Sequence, residues 1–298
     1  MAWGTIIALY LFLAGLSAGA YLTSSFVARK YPKLSAIRKT GRFISPVLMG
    51  IGLLLLIVDA EAGLHHPLRF IYLFTNFNSV MTIGTYFISF FMMASLYTAL
   101  MEFLKKDTPA WIEYIGMVFA VGTAIYTGFL IGVVNTVPLW NTSILPILFV
   151  VSALSTGVAA TMFTAAFFDK HGIHQVVSVK KIHLSLLLTE VFLIFTMFFI
   201  TASSSEVAAK SIGSMVSGEF ATLFWLGLIV VGLLLPIAIE SFELLNHHKG
   251  STHPEAMKVA AAGQPGIIGT VVTEGSVLVG GFVLRYLILA AALPIAFL

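Results

Sequence analysis

Eight apolar runs, at about 3–28, 43–62, 79–104, 112–134, 143–168, 182–201, 219–244 and 267–296, alternate with short stretches that carry most of the charge. Each run reaches the roughly 20 residues needed to cross about 30 Å of hydrocarbon. None shows the apolar/polar alternation of a barrel strand. Helix is the fold that satisfies every backbone N–H and C=O inside its own segment, as lipid requires. The pattern therefore predicts an all-α integral membrane protein of eight transmembrane helices.

The charged positions orient the bundle. Thirteen of the 16 basic residues fall in the first, third, fifth and seventh connections: Arg29, Lys30, Lys33, Arg38, Lys39 and Arg42, then Lys105 and Lys106, then Lys170, Lys180 and Lys181, then Lys249 and Lys258. The opposite connections hold Arg69 and Lys210, and Arg285 lies inside the last run. By the positive-inside rule the basic side faces the cytoplasm, which places both termini outside a cell inner membrane. Composition agrees: 59% hydrophobic and only 10% charged, against about 25% charged in soluble domains. The net charge of +3 does not indicate a nucleic-acid binder, because the basic residues sit between apolar runs. The first run lacks a basic n-region and reads as a retained helix, not a cleaved signal. There is no cysteine, which excludes disulfides, thiolate-ligated iron–sulfur clusters and c-type haem attachment within the chain.

Small residues suggest how the helices pack and how the chain is organised. Gly15 and Gly19 bare one face of the first helix, and Gly50, Gly52, Gly280 and Gly281 read as further packing sites. Leu16-Ser17-Ala18-Gly19 aligns with Leu154-Ser155-Thr156-Gly157 at an offset of 138, where Thr23 also falls on Thr161 and Glu102 on Glu240. That echo suggests two tandem four-helix units, 1–138 and 139–298, in parallel orientation.

Ionisable groups inside a span are costly and mark a pathway or a paired site. Glu190 and Arg285 each lie near the middle of a run and are expected at similar depth, as a buried ion pair or a proton-transfer element. Asp59 and Glu61 end the second run and Glu274 sits in the inner part of the last. Glu102, Glu113, Glu240 and Glu243 read as ordinary carboxylates at inner helix ends. No histidine is placed deep in a run, so no axial pair for haem is expected, and no metal ligands are assigned. His65 and His66 would line the outer rim. No Walker A loop, H-E-x-x-H or G-x-S-x-G occurs. Tyr126 and Thr127, with Tyr10, Asn76 and the nearby Asn78, Asn135 and Asn141, are outer-half polar groups that an apolar ligand with carbonyl oxygens would use. Trp111 and Trp140 are assigned instead to the aromatic belt at headgroup level.

The opening string W-G-x-x-I-A-L-Y-L-F-L-A-G-L-S-A-G-A, residues 3–20, resembles the first helix of the NrfD/PsrC family of quinone-reactive membrane subunits. The resemblance implies a haem-free chain binding menaquinone or a related quinone near the outer face. Tyr126, Thr127, Tyr10, Asn76 and His65 would then contact the quinone, and Asp59, Glu61, Glu190 and Arg285 would handle protons. It also implies two partners: a ferredoxin-like iron–sulfur subunit, and a catalytic subunit that is a molybdopterin enzyme or a multihaem cytochrome. The alternatives are a secondary transporter, whose signature would be helices broken at matching positions in both halves, and a purely structural anchor. Pro236 interrupts a run without a counterpart near position 98.

Overall fold

A computed structural model describes residues 4–59, 74–168, 177–250 and 267–295. Among the described residues nine α-helices follow in order: α1 (Thr5–Lys30), α2 (Ser35–Asp59), α3 (Val80–Phe103), α4 (Ala110–Gly132), α5 (Ile144–Phe168), α6 (Val177–Ser204), α7 (Glu206–Val216), α8 (Leu235–Gly250) and α9 (Ile267–Ala290). A π-helical segment, Leu223–Leu234, runs directly into α8, and together they form one span, Leu223–Asn246. Eight helices among the described residues are long and apolar enough to cross a membrane. The short α7 is the addition to the sequence pattern. Ser205 caps it by accepting from the Ala208 N–H at 3.1 Å, and its apolar residues turn to the bundle while Glu206 and Lys210 stay outside.

Several spans extend past the apolar runs. The first connection is only Tyr31–Leu34, and Arg38, Lys39 and Arg42 belong to α2. A hydropathy window sees charge at these positions and stops. The helix continues because Arg38 and Arg42, one turn apart, both reach Glu102 of α3. The last span ends earlier than its run, at Ala290.

All the described basic side chains except Lys210 and Arg285 gather at one end of the bundle, the basic end. Gly4, the segment 74–79, the α4–α5 connection and α7 lie at the opposite end. α1 and α5 form the centre. α1 packs against α2, α4, α5 and α9, and α5 against α1, α2, α4, α6 and α9. Their crossing is made by the two similar motifs: a Cβ on Gly19 would lie 1.8 Å from the Ala153 carbonyl oxygen, and one on Gly157 would lie 2.1 Å from the Gly19 carbonyl carbon. Only glycine lets the two backbones meet this way. Gly280 likewise meets Gly232 of the π segment and Gly281 meets Thr156, whereas Gly50 and Gly52 make ordinary contacts. Pro236 can donate no N–H to Gly232, and the helix adjusts by winding its preceding turns as π. α3 stays α-helical through Thr98, so the break before Pro236 has no counterpart there.

The outer surface is apolar. Phe192, Phe195 and Phe199 share one face of α6 and are 66%, 71% and 71% exposed, the inverse of a soluble protein and the surface that lipid covers. Trp111, 65% exposed, suits the aromatic belt. Trp140 does not: it is fully buried, and its indole N–H donates to the Ile288 carbonyl at 2.7 Å, tying the α4–α5 connection to the end of α9.

Candidate functional site

Three helices bring Tyr10, Gly84 and Tyr126 together at the opposite end. Tyr10 is five residues into α1, Tyr126 six residues before the end of α4, and Gly84 four residues into α3, so all three lie about 6–9 Å inside that end. Tyr126 is 6% exposed and occupies the notch left by Gly84, where a Cβ would sit 1.9 Å from its ring. An apolar slot of about 320 Å³ between α3 and α4, lined by Val80, Ile83, Phe87, Gly122 and Phe129, reaches Tyr126. Tyr10 is fully buried, and its hydroxyl has no hydrogen-bond partner. A second groove, of about 820 Å³, runs between α4 and α5. Its walls include Phe129, Pro146 and Val150, and Asn135, Asn141 and Thr142 stand at its polar end.

The other sequence candidates are distributed differently. Thr127 is buried, but its hydroxyl donates to the Ala124 carbonyl of its own helix at 2.7 Å. Asn76 is exposed, its side-chain oxygen accepts from the Asn78 backbone N–H at 3.3 Å, and it does not line the slot at Tyr126. Asp59 closes α2 at the same end of the bundle. Glu61, His65 and His66 lie outside the described residues.

Glu190 and Arg285 are both buried, at 3% and 0% exposure, yet they do not form the direct ion pair expected of them. α5 stands between them. Ser155 donates to the Glu190 carboxylate at 2.8 Å, while Arg285 Nη1 donates to Ser152 Oγ at 3.1 Å and to the Gly281 carbonyl at 2.8 Å. The serines are one helical turn apart, which staggers the two charges in depth. Arg285 is only five residues from the end of α9. Gly15 leaves the space it fills, since a Cβ there would lie 2.8 Å from Nη2. The rings of Phe149 and Phe12 flank the guanidinium at 5.2 and 5.7 Å. Its Nε and Nη2 have no hydrogen-bond partner.

Two polar clusters at the basic end escaped the sequence reading. In the first, buried Arg42 bridges Glu102 at 2.8 Å and also pairs with Glu113, while Arg38 joins Glu102 at 3.1 Å and Arg29 joins Glu113 at 3.3 Å. In the second, His183 of α6, Glu240 of α8 and Glu274 of α9 converge at no more than 1% exposure. His183 Nδ1 meets Glu240 Oε1 at 2.6 Å and lies 3.6 Å from Glu274 Oε2. Lys180 pairs with Glu243 one turn nearer the basic end. His183 thus sits inside a span, two turns into α6, and not at its edge. The signal available was the three-residue spacing of Lys180–His183 and Glu240–Glu243, which puts each pair on one helix face.

Comparison with known proteins identifies a family for the chain. The family described as "Polysulphide reductase, NrfD" matches residues 1–296. The C chain of the polysulfide reductase of Wolinella succinogenes is 33% identical over 268 residues, covering 80% of this chain and 82% of the relative. Protein NrfD of Escherichia coli is 26% identical over 300 residues, covering 90% and 92%. The C subunit of the selenate reductase of Mesobacillus selenatarsenatis is 24% identical over 284 residues, covering 80% and 66%. With eight helices among its described residues long and apolar enough to span a membrane, a motif-bearing first helix and a match along nearly its whole length, the chain belongs to the NrfD family of polysulphide-reductase-type membrane subunits.

Proposed function

We propose that this chain is the quinone-reactive membrane subunit of a respiratory reductase complex, passing electrons between a menaquinone-type quinol and a partner iron–sulfur subunit. The observation that carries the reading is Tyr126, buried at the end of an apolar slot between α3 and α4, near the unpartnered hydroxyl of Tyr10. An apolar slot suits a quinone ring and its isoprenoid tail, and a tyrosine O–H is a donor matched to a quinone carbonyl oxygen. Having no cysteine, the chain needs its electrons accepted by clusters held elsewhere. Two of the relatives are named as components of polysulfide and selenate reductases. Such names fit a ferredoxin-like subunit at the opposite end and a molybdopterin or multihaem catalytic subunit beyond it.

In this reading the opposite end faces outward and the basic end faces the cytoplasm of an inner membrane, as the charge bias favours. Protons from quinol leave through Asp59, Glu61 and His65. Glu190, joined through Ser155 and Ser152 to Arg285, and Glu274 nearer the basic end form the buried elements of a second, through-membrane proton route. The tandem four-helix organisation belongs to the same proposal. It gains support from the 138-residue offset, which also places Arg42 on Lys180, so that each of these bases meets an acid on another helix of its own half.

The test is quinol-dependent reduction of the partner's clusters by the purified complex, with extraction of bound quinone. Losing one hydroxyl hydrogen bond in Tyr126→Phe should slow the reaction by roughly tenfold. Wild-type rates and quinone content in both Tyr126→Phe and Tyr10→Phe would refute the site. Wild-type proton release and charge movement in an assembled Glu190→Gln complex would refute the second route.

A further inference from the structure

We propose that His183, Glu240 and Glu274 form a binding site for a divalent transition-metal ion such as Zn2+. Three helices, α6, α8 and α9, deliver one imidazole and two carboxylates to a point where their ligand atoms all lie within 4.8 Å of one another. All three residues are sealed from the surface, at 0%, 0% and 1% exposure. Hydrogen bonding leaves the set incomplete: Glu240 Oε2 and Glu274 Oε2 are buried without hydrogen-bond partners. The His183 Nδ1 contact with Glu240 at 2.6 Å is short, whereas Glu274 stands 3.6 Å away. Two carboxylates in a dry interior call for positive charge, and one imidazolium supplies half of it. The Lys180–Glu243 pair alongside is already internally balanced. A divalent ion held by a neutral imidazole and two carboxylates makes the cluster neutral.

The donor chemistry fits zinc, cobalt or a similar borderline ion, for which mixed nitrogen and carboxylate ligands at about 2.0–2.2 Å are usual. Four-coordinate geometry with such bonds sets ligand atoms roughly 3.3–3.5 Å apart. The observed contacts of 2.6 and 3.6 Å bracket that spacing, so a small shift of the Glu240 side chain completes it. The remaining coordination position falls to a second carboxylate oxygen or to water. Ion and proton are alternative occupants of the same ligands, because a bound ion withdraws Glu274 from the through-membrane proton route. The site itself does not depend on the quinone reading, and its failure would leave that reading intact.

The experiment uses the purified full-length chain with its partner subunits, stripped by a chelator and loaded with Co2+ alone. One Co2+ per copy of this chain should survive desalting and show the visible d–d absorption of a four-coordinate ion. Glu274→Gln and Glu240→Gln, which preserve side-chain volume, should each lower retained Co2+ by at least about tenfold, as should His183→Ala. The exposed control Glu206→Gln should retain it fully. Should His183→Ala fail to assemble, the two isosteric variants decide. A wild-type complex that holds no Co2+ beyond the level of Glu274→Gln would overturn the site. So would Co2+ retention unaffected by either glutamine substitution.

Discussion

Replacing Gly19 by alanine tests the crossing on which the rest of the bundle is aligned. The added Cβ would be 1.8 Å from the Ala153 carbonyl oxygen, where ordinary contact begins at 3.4 Å, and the neighbour is backbone, so no side chain can swing aside. α1 and α5 must separate by more than about 1 Å, and a gap of that size forfeits a quarter to a half of each dispersion well. With on the order of 50 atom pairs along the crossing at ~0.1–0.2 kcal/mol each, the loss is roughly 1–5 kcal/mol. The matched control is Gly213→Ala in α7, where a Cβ meets nothing within 4 Å and alanine should gain up to about 1 kcal/mol of helix propensity. Thermal unfolding of the detergent-solubilised protein, followed by tryptophan fluorescence, reads both, since Trp140 reports from the core. The expected order of midpoints, from lowest to highest, is Gly19→Ala, wild type, Gly213→Ala. A Gly19→Ala protein that unfolds with the wild type would refute the close crossing of α1 and α5.

Arg42→Ala leaves Glu102 and Glu113 buried with only the peripheral Arg38 and Arg29, and should cost about 3–5 kcal/mol in the same unfolding assay. The triple variant Arg42→Met/Glu102→Gln/Glu113→Gln should recover much of that loss, because no carboxylate is then stranded. Trp140→Phe removes the N–H bond to Ile288 and should cost about 1–3 kcal/mol, loosening the α4–α5 connection first, which limited proteolysis would detect.

Hydropathy is additive along the chain, so the sequence alone determined that the spans are helical, that eight of them occur, and that the basic residues favour one end; the π winding of Leu223–Leu234 appeared only in the structure. It also marked Gly19 and Gly157, and it singled out Tyr126 and Glu190 as polar groups inside spans. What it misread are residues whose meaning depends on a distant partner. Arg42 looks like loop charge until Glu102 and Glu113 are brought against it, and Trp140 looks like an interfacial aromatic until Ile288 accepts its N–H. Glu190 and Arg285 share burial, but only packing reveals that Ser152 and Ser155 keep them apart. His183, Glu240 and Glu274 come from three separate helices, and no local pattern predicts that they meet. Membrane insertion is decided segment by segment, whereas a polar cluster exists only once helix rotation and depth are fixed by packing.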